Sequence, residues 1–74
     1  MEYVVVRYPQ TRDVRIDDQT AGKTNATLMV EKGHHVFDLG QPLDYEPPSV
    51  ERNVQNTAPE APLIIADFRP KGGV

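Results

Sequence analysis

Between residues 13 and 39 the chain alternates apolar and polar side chains with a period of two, and does so three times. That period suits a half-buried strand and is wrong for an amphipathic helix. Val14 and Ile16 fall on one face, with Asp13, Arg15 and Asp17 on the other. Leu28 and Val30 repeat the pattern, and His35, Phe37 and Leu39 repeat it again, with His34, Val36 and Asp38 outside. The residues between these runs carry turn chemistry. Residues 17–25 read as a connecting loop, because Asp, Thr and Asn side chains bond to nearby backbone and Gly22 permits a positive φ. Glu31-Lys32-Gly33-His34 reads as a short hairpin loop with glycine at the left-handed position. The stretch is thus expected to form a strand, a loop and a β-hairpin, onto which the rest of the chain pairs.

The flanks continue the pattern. Residues 3–8 are rich in β-branched and aromatic side chains, with Val4, Val6 and Tyr8 on one face and Tyr3, Val5 and Arg7 on the other. Pro9 removes a backbone donor and introduces a turn. The proline-rich passage at 40–48 forbids a helix and favours an extended surface connection. Residues 49–56 read as an edge strand with Val50 and Val54 inward and Arg52 between them. Residues 63–68 read as the last strong strand, with Ile64, Ala66 and Phe68 inward. No window shows apolar residues at helical spacing beside a capping signal. About six short strands separated by turn residues imply an all-β chain, a small antiparallel β-sandwich or open barrel. The expected division is one domain over residues 1–69 and a flexible tail at 70–74.

With 74 residues, such a domain buries only about 60% of the surface its unfolded chain exposes. Small cores of this kind are commonly reinforced by disulfides, metals or association. There is no cysteine, so disulfides and thiolate metal sites are excluded. A well-packed core, a partner, or both must supply the stability. The net charge is −3, with eight basic and eleven acidic residues scattered along the chain. A nucleic-acid binder carries a basic stripe that releases counterions from phosphates, and none is present. The apolar run at residues 3–6 is too short for a signal-peptide core or a membrane span and has no basic segment before it. As written, the chain is expected to be cytoplasmic without membrane insertion, or extracytoplasmic if it is a domain of a longer secreted protein.

The order of several short motifs resembles the PEGA domain. They are Asp13-Val14-Arg15-Ile16-Asp17-Asp18, Gly22-Lys23-Thr24, Glu31-Lys32-Gly33-His34-His35 and Asp44-Tyr45-Glu46-Pro47. The resemblance spans roughly residues 8–68, about the size of one small domain. The tetrapeptide that names that family has no literal match here; Tyr8-Pro9-Gln10-Thr11-Arg12 occupies its place. Asp18 stands where that family commonly has glycine, Asn25 where it has proline, and Asp44 where it has glycine. The resemblance implies a small prealbumin-type sandwich, carried in that family on bacterial and archaeal cell-surface proteins, with a structural or binding role and no catalytic residues.

The residues that could carry chemistry have plainer readings. Gly22-Lys23-Thr24 looks like the end of a phosphate loop, but that motif needs a glycine at position 17, which is aspartate, and a helix afterwards. His34 and His35 are adjacent, so on a strand they point to opposite faces and cannot share a metal. His34 and Asp38 share a face but lie about 13 Å apart along it. His35 is expected to pack or hydrogen-bond at the mouth of the core, and His34 to lie on the surface. Asp13, Arg15 and Asp17 form a solvated face without the cleft that general acid–base work requires. Asn25-Ala26-Thr27 satisfies the N-glycosylation pattern. No nucleophile–base pair and no metal set can be assembled, so no catalytic residue, metal or cofactor is expected.

Five apolar residues fall on faces that should be wet: Val5, Met29, Val36, Leu63 and Ile65. A contiguous group of this kind marks a contact surface. The alternatives are that some strands are buried on both faces or that the phase is displaced. The leading expectation is a non-catalytic module for protein–protein contact or self-association, through this group or through an open sheet edge. The second is a carbohydrate or small-ligand module with Tyr3, Tyr8 and Tyr45 as stacking platforms.

Overall fold

The structure is a computed structural model that describes residues 1–71. It is all-β. Among the described residues nine strands run in the order β1 (Glu2–Val6), β2 (Asp13–Ile16), β3 (Gln19–Lys23), β4 (Thr27–Val30), β5 (Gly33–Asp38), β6 (Tyr45–Glu46), β7 (Val50–Val54), β8 (Leu63–Ile65) and β9 (Arg69–Pro70). A three-stranded sheet has the order β4-β1-β8, and a four-stranded sheet the order β3-β2-β5-β7. β6 and β9 form a small ribbon. β1 runs antiparallel to β4 and parallel to β8.

The core is made by the two main sheets facing each other, as alternation along each strand requires. The three-stranded sheet contributes Val4, Val6, Leu28, Val30 and Ile65; the four-stranded sheet contributes Val14, Ile16, Phe37, Val50 and Val54. Tyr8, Leu39, Tyr45 and Phe68 complete it. Tyr45 and Phe68 meet edge to face, with ring centroids 5.6 Å apart. Burying each of these larger apolar side chains contributes about 1.5–3 kcal/mol.

The connections differ from the sequence reading in an instructive way. Residues 17–25 were expected as a loop, yet they contain β3 and close a hairpin with β2. Asp17 and Asp18 both have positive φ, 52° and 68°, between the paired residues Ile16 and Gln19. Two left-handed residues in a two-residue loop give the turn whose twist matches a hairpin, and aspartate tolerates that region better than most. β3 lies at the sheet edge with little burial, so it shows no apolar period. Conversely, β4 and β5 were expected to form a hairpin but belong to different sheets. Glu31, Lys32 and Gly33 form an arch that carries the chain across the sandwich, and Gly33 has φ +132°.

In β8 the phase differs from the expected one. Ile64 and Ala66 were expected inward; both are exposed, and Ile65 is wholly buried. Parallel pairing sets Ile65 beside Val6 on the inner face and Ile64 beside Val5 on the outer. The strand then ends, and Phe68 re-enters the core after an irregular step that breaks the parity. The chain end also departs from the expected tail at 70–74. Pro70 pairs with Tyr45, and the Lys71 amide donates to the Asp44 carbonyl at 2.9 Å. Residues 72–74 of that tail lie outside the described residues.

Candidate functional site

Thr24 and Asn25 anchor the passage from β1 to β2. The buried Thr24 hydroxyl donates to the Gln10 carbonyl at 2.8 Å and accepts from the Arg12 amide at 2.9 Å. The Asn25 amide brackets the backbone of Tyr8: Nδ2 donates to the carbonyl at 2.7 Å and Oδ1 accepts from the N–H at 3.1 Å. The Gly22-Lys23-Thr24 motif is thereby used as scaffold, with its hydroxyl already satisfied. Lys23 pairs with Asp13 across the hairpin.

Arg12 holds the proline-rich passage. Its guanidinium reaches Asp44 at 2.5 Å and the Pro42 carbonyl at 2.8 Å, and it lies over the Tyr45 ring at 5.2 Å. The Tyr45 hydroxyl donates to the Gly40 carbonyl at 3.0 Å and accepts from the Leu39 amide at 3.2 Å. Tyr45 and Tyr8 are both core residues. The expected three-tyrosine platform is therefore not assembled, because two of its members spend their rings on packing; Tyr3 alone is half-exposed. On the opposite seam, Arg52 pairs with Asp67 and links β7 to the segment after β8.

His35 lies at the mouth of the core, its side chain 13% exposed, its ring in a T-shaped arrangement with Phe37. Its Nδ1 is 2.6 Å from Asp17 Oδ2 and its Nε2 is 2.7 Å from the Glu31 carbonyl. Asp17 Oδ1 accepts from the Val36 amide at 3.0 Å. That backbone bond first, and His35 second, hold the Asp17 carboxyl below the usual carboxylate range. The Asp17 carboxylate in turn raises His35 above its ordinary value. His34 is exposed on the other face, with Nε2 3.8 Å from Glu51 Oε1. Among the described residues there is no surface pocket and no group of three metal-binding side chains. No helix is long and apolar enough to cross a membrane.

The five out-of-phase apolar residues separate. Ile65 is wholly buried beneath the three-stranded sheet, and Leu63 packs partly against the core. Neither lies on the outer face, because the phase of β8 is displaced by one residue. Val36 is half-buried on the other sheet, paired with Glu51. Val5 does face outward but is covered, at 8% exposure. Met29 faces outward and is 61% exposed. The residue missed is Ile64, 45% exposed. Register connects this outward set: Met29 lies opposite Tyr3, and Val5 lies opposite Ile64. Directly paired residues have Cβ atoms about 4.5–5.5 Å apart, so Met29, Tyr3, Val5 and Ile64 form a diagonal apolar strip across all three strands. Ile64 could be found only from the register of a parallel pair, which nothing local in the chain announces.

No family model matches the chain, and no curated protein or solved structure matches it.

Proposed function

We propose that this chain is a non-catalytic β-sandwich module that works by protein–protein contact or self-association, through the outer face of the β4-β1-β8 sheet. The observation that carries this reading is the strip Met29–Tyr3–Val5–Ile64, which spans the sheet and leaves two large apolar side chains in water. A contiguous exposed apolar group is what a contact surface needs, whereas scattered single residues are ordinary. The charged and imidazole groups support the non-catalytic part: Arg12–Asp44, Lys23–Asp13, His35–Asp17 and Arg52–Asp67 are pairs that brace turns and seams. The resemblance to the PEGA domain belongs to the same proposal and favours a structural or binding role.

The test is sedimentation or light scattering over roughly 10 μM to 1 mM, the range of weak association, with Met29→Glu and Ile64→Glu beside the wild type. Both positions are exposed, so the variants should fold. The reading expects a mass that rises with concentration in the wild type and stays monomeric in the variants, or a protein retained by the wild type and released by both variants. A monomer at every concentration, with no partner that distinguishes wild type from variants, would refute it.

A further inference from the structure

We propose that His35 is a proton-dependent pin, holding both the β2–β3 turn and the β4–β5 arch onto strand β5 as an imidazolium and giving up one of the two bonds when it loses its proton. Geometry carries this. Both ring nitrogens sit within 2.7 Å of oxygens, and both oxygens are acceptors: a carboxylate of Asp17 and the backbone carbonyl of Glu31. A neutral imidazole has one donor nitrogen and one acceptor nitrogen, so it can satisfy only one of the two. Only the protonated ring donates to both. The bonds tie together segments from three places in the chain. Asp17 belongs to the hairpin turn and also receives the Val36 amide and donates its own amide to the Val36 carbonyl. Glu31 begins the arch between the sheets.

The charged groups around the ring agree with this role. Asp17 faces it from the β2–β3 turn and Glu31 from the arch, and both favour the cation. Arg52 is its cross-strand neighbour on β7, but that guanidinium is committed to Asp67. His34, next on the same strand, projects to the opposite face toward Glu51. Lys32, also in the arch, acts on Glu2. Because His35 titrates above its ordinary 6.5, the pin holds fully below that pH and is lost as pH rises through the raised value. The Asp17 partner is safe in that window, since it stays ionised down to below 3.8. The device thus opens toward alkaline pH.

The experiment is an NMR titration of the whole chain from pH 5 to 9, with His34→Gln removing the second histidine. The ring nitrogen shifts should show both nitrogens protonated at pH 6 and a midpoint above 6.5. Protection of the Val36 amide against exchange, corrected for intrinsic base catalysis, should fall through the same midpoint by about tenfold for each unit of elevation. Asp17→Asn, which suits the positive φ at that turn, should return the midpoint toward 6.5 and remove most of the pH dependence of Val36. A neutral tautomer at pH 6, a midpoint at or below 6.5, or Val36 protection that ignores the titration would overturn the proposal. An unchanged midpoint in Asp17→Asn would do so as well.

Discussion

Asn25 offers a sharp test of how the sandwich is braced. Its side chain makes two hydrogen bonds to the backbone of buried Tyr8, at 2.7 and 3.1 Å, and its own φ is +62°. These two features can be removed separately. Asn25→Gly keeps access to the left-handed conformation and deletes the amide, leaving the Tyr8 N–H and carbonyl without their partner. Two net hydrogen bonds at ~0.5–1.5 kcal/mol each give a loss of about 1–3 kcal/mol. Asn25→Ala deletes the same amide but keeps a Cβ in the left-handed region, so it should be about 1–2 kcal/mol less stable than the glycine variant. Asn25→Asp keeps the acceptor but turns a carboxylate oxygen toward the Tyr8 carbonyl. It should behave at least as badly as the glycine variant at neutral pH and recover in acid, when the carboxyl can donate. A domain of this length has roughly 4–11 kcal/mol in total, so these losses are well resolved. Urea denaturation followed by far-ultraviolet circular dichroism measures them. A glycine variant within about 0.5 kcal/mol of wild type, the ordinary surface range, would refute the bracketing role. Equal losses for glycine and alanine would refute the conformational one.

The phase of β8 can be read from a pair of neighbours: Ile65→Ala should cost about 2–5 kcal/mol, and Ile64→Ala less than about 1 kcal/mol, by the same denaturation assay. Arg12→Lys keeps a cation but cannot fork between Asp44 and the Pro42 carbonyl, so a loss of about 1–2 kcal/mol is expected, with the Tyr45 ring signals shifting by NMR. In acid, Asp17 and Glu2 both have depressed pKa values, Asp17 chiefly through the Val36 amide and Glu2 chiefly through the Thr57 hydroxyl. Each therefore contributes stability above its ordinary value that is lost as pH falls through the depressed one. Asp17→Asn should flatten thermal midpoints between pH 5 and 2 relative to wild type.

Burial decides which parts of this architecture are legible in the chain. Val14, Ile16, Leu28, Val30 and Phe37 alternate because one face of each strand meets the opposite sheet, and all five were placed inward by period alone. β3 is missed because Gln19, Thr20, Ala21 and Lys23 are wet on both faces, which removes the only periodic signal a strand has. Its turn is missed because Asp17-Asp18 lacks the glycine that ordinarily marks a tight hairpin. The arch after Val30 was read as a hairpin loop because a glycine turn says that the chain bends but not which sheet it enters next. At the candidate site, Met29 was legible because β4 keeps strict parity. Ile64 was not, because Leu63, Ile64 and Ile65 are all apolar and composition cannot choose among them. Arg12 gave no signal either: its partners Asp44, Pro42 and Tyr45 are remote in sequence and meet it only through the fold.

The parallel pairing of β1 with β8 has a consequence for how the protein is made. Val4, Val5 and Val6 are synthesised well before their neighbour on one side, Leu63–Ile65. At about 5–20 residues per second the nascent chain carries an unpaired valine-rich edge for roughly 3 to 12 s. Such an edge is a template for wrong pairing with other chains. Closure of the three-stranded sheet must therefore follow synthesis of Ile65, and the yield of folded protein should depend on how well that edge is shielded until then.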